Sequence, residues 1–217
     1  MSVPLLTPYR YDRVSDGLST PALLAQGLGV AYAAGISVPA TVAILGLAQH
    51  LSWIGPLPGG LDVLSNVWII GLAVSMYAVE FVATLVPGLA SLWETVQTGV
   101  RPIAGALLAI ATTVHLPGLY IAAVALLGGG LAITTHGAKL GVRYAVDASP
   151  EPFTNLAANV AELTTIVSVC LALWDHPYAT LTAAVVLLAL IALLVRHMLR
   201  TIQRGLARLM GMSRPTE

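Results

Sequence analysis

Apolar residues run along the chain in long blocks, broken by short polar stretches rich in proline and glycine, and the blocks predict helices that cross a membrane. A crossing helix needs roughly 20 apolar residues at a rise of ~1.5 Å each. Ala22–Gln49 supplies the first, rich in small residues and interrupted by Pro39, and His50–Asp62 (HLSWIGPLPGGLD) reads as a turn region. Val63–Val86 is the second, closed by the helix stop Pro87-Gly88. Leu89–Val100 (LASLWETVQTGV) is less apolar and predicts an interfacial helix or lid. Pro102–Val114 makes a short third crossing, roughly 20 Å if straight, extended by the preceding turn or partly re-entrant. After the turn His115–Gly118, Leu119–Ala138 is the fourth, its helix continuing through Arg143. Asp147–Pro152 (DASPEP) is a loop, Phe153–Trp174 the fifth crossing, Asp175–Pro177 a tight turn and Tyr178–Val195 the sixth. The expected fold is therefore an all-α, polytopic bundle of about six spans. Residues 1–21 form a cytoplasmic segment, 22–195 the bundle, and 196–217 a basic cytoplasmic helix and tail.

Composition agrees. Of 217 residues 57% are hydrophobic and 9% charged, with mean hydropathy +0.86, whereas a soluble domain carries roughly a quarter charged residues. Ten basic and ten acidic side chains cancel, and no basic, aromatic-interleaved patch points to nucleic acid. The N-terminus lacks the basic-then-apolar layout of a cleavable signal peptide, so insertion is expected to rely on the internal spans. With six spans every basic residue, from Arg10 and Arg13 through Arg101, Lys139 and Arg143 to Arg196–Arg214, falls on one side. The positive-inside rule then places both termini in the cytoplasm.

Ionisable groups inside the hydrocarbon invite a functional reading, because each costs at least ~2.5 kcal/mol to insert. Glu80, Glu162, Lys139 and His136 are predicted at matching depth, roughly 10 to 15 Å from the cytoplasmic side, with Lys139 paired to Glu162 or Glu80. Arg101 and Arg143, nearer the surface, complete a polar layer, and His136, Lys139 and Arg143 share one helix face. Asn155 and Asn159 lie on roughly one face with Glu162, which has to line a cavity or bond to another helix. The same residues also fit plain helix-packing ion pairs that set register.

Gly27, Ala31 and Gly35 repeat every four residues, as do Gly137 and Gly141, spacing that lets helices approach closely. Gly128-Gly129-Gly130 fits packing, or else a hinge. Arg196, Arg200, Arg204 and Arg208 also recur every four residues and are expected to anchor the helix on lipid. The lone Cys170 reads as a buried small hydrophobe. No HExxH, GxSxG or CxxC pattern occurs, and His50, His115, His136, His176 and His197 are scattered. No cofactor, metal or catalytic residue is expected, and an enzyme is the less favoured class. A polar pair opens the second span of each half (Ser65-Asn66 and Thr154-Asn155), which raises an inverted repeat of two three-helix halves.

Two segments, SLWETVQTGVRPIAGALLA and HGAKLGVRYAVDASPEPFTN…AE, resemble the bacterial membrane family catalogued as domain of unknown function 4126. The resemblance rests on the step Arg101-Pro102…Gly105 and on the run Lys139…Arg143…Ser149–Pro152…Asn155. It implies a helical protein of the bacterial plasma (inner) membrane and carries over no activity. The family pattern places an Asp-Lys pair after Glu80 and a second acid after Glu162, where this chain has Thr84-Leu85 and Leu163. The function expected first is transport of an ion or small polar solute. The rival is a scaffold or lipid-contacting subunit, with membrane lipids and a second copy or another membrane protein as partners.

Overall fold

The computed structural model describes residues 18–86, 89–147 and 152–211. Within them the chain forms seven α-helices and one 3-10 helix: α1 Thr20–Ile36, α2 Val38–His50, the 3-10 helix Gly59–Ser65, α3 Val67–Leu85, α4 Leu89–Thr112, α5 Gly118–Asp147, α6 Pro152–Asp175 and α7 Pro177–Gly211. Four stretches are long and apolar enough to cross a membrane: Val67–Leu85, Gly118–Tyr144, Phe153–Asp175 and Pro177–Leu194. Their outward faces are apolar, as lipid contact requires. Trp68 on α3 is 87% exposed, and Leu72, Leu126, Val186 and Leu190 are exposed with it. Exposed Trp and Tyr residues stand near both ends of the bundle, Trp53, Trp68 and Tyr178 at one and Tyr144 at the other, the distribution that amphipathic rings take at membrane interfaces.

The first predicted span is two helices, not one. Pro39 has no N–H and its ring crowds the carbonyl of Gly35, so a helix cannot run through it undisturbed. Ser37 accordingly takes an extended conformation, φ −157° and ψ 118°, and its hydroxyl caps α2 by accepting from the Ala40 N–H at 3.3 Å. The chain then reverses. Along α1, Gly27 packs on Ala109 and Val124 while Gly35 packs on Ala132 and Thr135, so α1 runs parallel to α5 and antiparallel to α4. Along α2, Ser37 meets Glu80 but Gly46 packs on Leu64 and Ile70, so α2 climbs back beside α3. The connection that follows stays at the same end. Gly59, whose φ of +64° suits a residue without a side chain, packs on Ala111 near the end of α4.

α1 and α2 thus form a helical hairpin. It starts beside Tyr178, which Ser19 Oγ meets at 3.1 Å, and its tip lies about 24 Å along α1 from that upper end. α1 is enclosed by the later helices, with Val30, Ala31, Ala33 and Ala34 fully buried. Small residues make the enclosure feasible: a Cβ at Gly35 would sit 2.5 Å from the Ala132 carbonyl oxygen.

This corrects several expectations. Leu89–Val100 is no lid; it is the lower half of α4, which runs unbroken through Pro102. Glu94, Gln97 and Arg101 form its buried face while Leu92, Val96 and Val100 point outward, so its amphipathicity serves a protein core rather than a membrane surface. α4 joins the lower end of α3 to the upper end of α5 and so spans the same thickness. Five helices, α3 to α7, therefore run the length of the bundle beside a hairpin that does not, and four of the five hold a stretch long and apolar enough to cross a membrane. Residue 19 lies at the end of the bundle opposite to the end of α7, and the two termini themselves lie outside the described residues. The hairpin of the first half has no like-placed hairpin among the described helices of the second, so nothing here supports the two inverted three-helix halves. Gly128-Gly129-Gly130 lies within unbroken α5, with Gly128 packed on Ala109 and Ala31. Gly27, Ala31 and Gly35 do pack against α4 and α5, whereas Gly137 faces open space. The Pro87-Gly88 stop, residues 148–151 of the DASPEP loop, Arg10, Arg13 and Arg214 lie outside the described residues.

Candidate functional site: a charged layer at the hairpin tip

The break at Ser37 leaves backbone groups at the tip that the helices do not use. The Ala40 N–H is taken by the Ser37 hydroxyl, so the Ile36 carbonyl, one of the orphan acceptors at the end of α1, turns outward and accepts from Lys139 Nζ at 3.0 Å. The negative end of the α1 dipole favours that ammonium. On the other side of the break Ser37 Oγ donates to Glu80 Oε2 at 2.6 Å. One helix break therefore holds a cation with one residue and a carboxylate with the next.

Around the tip, three carboxylates face three cations. Lys139 Nζ also lies 3.0 Å from Glu94 Oε1, 3.1 Å from Glu162 Oε2 and 3.4 Å from Glu80 Oε1. Arg101 bridges Glu80 Oε1 and Glu94 Oε2, both at 2.9 Å, and Arg143 Nε reaches Glu162 Oε1 at 2.9 Å. Formal charge sums to zero over Glu80, Glu94, Glu162, Arg101, Lys139 and Arg143. Burial is deep: Arg101 is fully buried, while the Glu162 side chain, at 22%, is the most exposed of these carboxylates. At such depth the pairs offset a desolvation cost of several kcal/mol per ion.

Neutral groups complete the layer. The Thr98 hydroxyl donates to the Glu94 carbonyl at 2.9 Å and faces His136 Nε2 at 2.8 Å. His136 Nδ1 accepts from the Arg101 guanidinium. The Asn159 carboxamide accepts from Arg143 and, at 3.2 Å, from Thr84 Oγ1, joining α3, α5 and α6.

Seven of the eight side chains singled out in the sequence meet here: Glu80, Arg101, His136, Lys139, Arg143, Asn159 and Glu162. Lys139 contacts Glu162 and Glu80 together. Asn155 does not join the layer, and its Oδ1 is buried without a hydrogen-bond partner. Arg101 is not near the surface as expected, because α4 begins twelve residues before it. Sequence reasoning missed Glu94, Thr98 and the Ile36–Ser37 tip. Glu94 was legible as the residue seven before Arg101, hence on its helix face.

Two cavities flank the layer. One of about 310 Å³ lies beneath it between the lower ends of α3, α4 and α5, lined by Thr84, Thr95, Thr98, Glu94, Arg143 and Tyr144 among others. The second, about 160 Å³, lies on the other side of α5 against α1, α6 and α7, with Tyr32, Ile36, Lys139, Glu162 and Leu188 in its wall. Among the described residues no three His, Cys, Asp or Glu side chains are set to hold a metal as they stand. His50 bonds to the Ser65 carbonyl at 3.2 Å. On α7, Arg196 and Arg200 are exposed, and the side chains of Arg204 and Arg208 lie outside the description.

Fold and site together define an all-helical protein, with four helices long and apolar enough to cross a membrane and a helical hairpin docked on a buried, charge-balanced layer. Residues 24–197 match the model of the family described as domain of unknown function (DUF4126), and the chain belongs to that family. No curated protein and no solved structure matches it.

Proposed function

We propose that this protein carries a small ion or small polar solute across the membrane, with the charged layer at the hairpin tip as its site. One observation supports the reading: the helix break at Ser37, deep in the bundle, leaves the Ile36 carbonyl and the Ser37 hydroxyl facing ionised side chains between two cavities. Irregular backbone at membrane depth is tolerated where it is buried in protein or lines a cavity, and transporters place broken helices at their binding sites. Arg196 and Arg200, with Arg204, Arg208 and Arg214 after them, favour the lower face as cytoplasmic. The larger cavity then opens from the layer toward the cytoplasm, and the hairpin enters from outside. The bacterial plasma membrane is the location the family resemblance supports.

The test is flux in proteoliposomes for wild type, Glu162→Gln and Lys139→Met, with thermal unfolding of each in detergent. Transport predicts proton, cation or solute flux above empty liposomes in wild type, lost in both variants while Glu162→Gln unfolds within a few degrees of wild type. The complete pairing of six charges favours a second reading, a scaffold or lipid-contacting subunit whose ion pairs only fix helix register. That outcome shows as no flux in wild type and a co-purifying lipid or partner.

A further inference from the structure

The Arg143 side chain is 8% exposed, and its guanidinium is only partly used. Nε donates to Glu162 Oε1 at 2.9 Å and Nη2 to the Asn159 carboxamide, but Nη1 has no hydrogen-bond partner. A buried cationic N–H group left without an acceptor is costly, and such groups are nearly always satisfied by protein, water or a ligand. Arg143 also stands in the wall of the cavity of about 310 Å³ below the layer. That volume lies at the low end of the roughly 300–1,000 Å³ of small-molecule pockets.

The rest of the wall sets what can enter. Glu94 contributes a carboxylate, but Lys139 holds its Oε1 at 3.0 Å and Arg101 its Oε2 at 2.9 Å, so two cations face its one charge. Arg143 has Glu162 alone as its ion-pair partner. The Thr84 and Thr98 hydroxyls spend their protons inside the protein, Thr98 on the Glu94 carbonyl at 2.9 Å and Thr84 on α3 carbonyls and Asn159. Each is left with an acceptor oxygen. Ala90 and Leu140 give the cavity an apolar side. Nη1 thus brings a charged donor to a wall of acceptor oxygens and apolar surface.

We propose that this cavity binds a small organic monocarboxylate, its carboxylate on Arg143 Nη1 and its short carbon chain against Ala90 and Leu140. The inference rests on the transport reading for its role, giving the cargo a chemical class, and on the cavity alone for its occupancy. The threonine oxygens and Glu94 disfavour a dianion such as sulfate, and the apolar side gives a halide nothing to touch. A bound carboxylate competes with Glu162 for one guanidinium. Since Glu162 bridges Arg143 and Lys139, occupancy of the cavity reaches the ion pairs at the hairpin tip.

The test is thermal unfolding in detergent at neutral pH for wild type, Arg143→Lys and Ala90→Phe. Each is titrated with sodium acetate, propionate or lactate, and with sodium chloride and sulfate at equal ionic strength. Arg143→Lys keeps a cation beside Glu162 but has no Nη1, whereas Ala90→Phe fills the cavity and leaves every ion pair in place. Wild type is expected to show a saturable rise in unfolding midpoint with at least one carboxylate and with neither chloride nor sulfate. Half-saturation should need roughly tenfold more carboxylate or beyond in Arg143→Lys, as for a lost hydrogen bond to a charged group. In Ala90→Phe the rise should vanish, and this variant decides alone if Arg143→Lys does not fold. The proposal is overturned if wild type unfolds alike in every salt, the result for a cavity that holds water alone. It is overturned too if a carboxylate stabilises Ala90→Phe as well as wild type. Carboxylate binding without flux in proteoliposomes keeps the site and overturns transport, and cation flux without carboxylate binding does the reverse.

Discussion

Glu94 and Glu162 both touch Lys139, yet their surroundings differ. Glu94 is buried against Arg101 as well, while Glu162 keeps some exposure. Removing one partner from a fully buried pair costs roughly 3–5 kcal/mol, because the other charge is left uncompensated. Glu94→Gln is therefore expected to lower stability by about that much and Glu162→Gln by clearly less, read as unfolding midpoints in detergent. At Gly35 the sign is set by space: alanine raises intrinsic helix propensity by about 1 kcal/mol, but its Cβ meets the Ala132 backbone at 2.5 Å. Gly35→Ala should destabilise by roughly 1–3 kcal/mol, the usual cost of overpacking. At this scale the sequence was informative for a plain reason. Helical rise is fixed, so counting residues from a helix end places Glu80, Lys139 and Glu162 at one depth. Glu94 escaped because it fell in a segment too polar to be taken for a crossing.

The hairpin was illegible for a different cause. Hydropathy measures how much apolar chain is available, not which way it runs, and Ala22–Gln49 holds enough for one crossing. The clue was Ser37-Val38-Pro39 in the middle, which supplies a cap and a break together. Its direction is decided by partners distant in sequence, Ala132 for Gly35 and Ile70 for Gly46, which no local pattern contains. The geometry is checked by labelling. Ser19→Cys and Gly55→Cys, at the two ends of the hairpin, should react with an impermeant maleimide from the same side of sealed vesicles. Cys170 is fully buried and gives no background. Labelling from opposite sides would restore a single crossing helix.

For the molecule as a whole, the decisive quantity is parity. Six crossings sorted every basic residue onto one face, but three of those votes, Arg101, Lys139 and Arg143, belong to the buried layer and belong to no loop. A count of five crossings predicts that Ser19→Cys and Arg200→Cys label from opposite sides, Arg200 from the cytoplasm. The bundle and the depth of its charges were readable because composition and rise are local properties. Orientation was not, since it depends on how many times the chain turns back.

The hairpin is synthesised before everything that holds it. Ile36 leaves the ribosome 103 residues ahead of Lys139, and Ser19 precedes Tyr178 by 159. While the later helices are still being made, α1–α2 is an apolar stretch of crossing length with a polar break at its centre and no partner for it. The insertion machinery therefore meets the hairpin as an ordinary span or as an undocked pair, and its final shape is settled only when α5 and α6 arrive. Assembly of this protein ends on a segment made well before its partners, and a chain shortened before Lys139 should leave α1 and α2 exposed to membrane quality control.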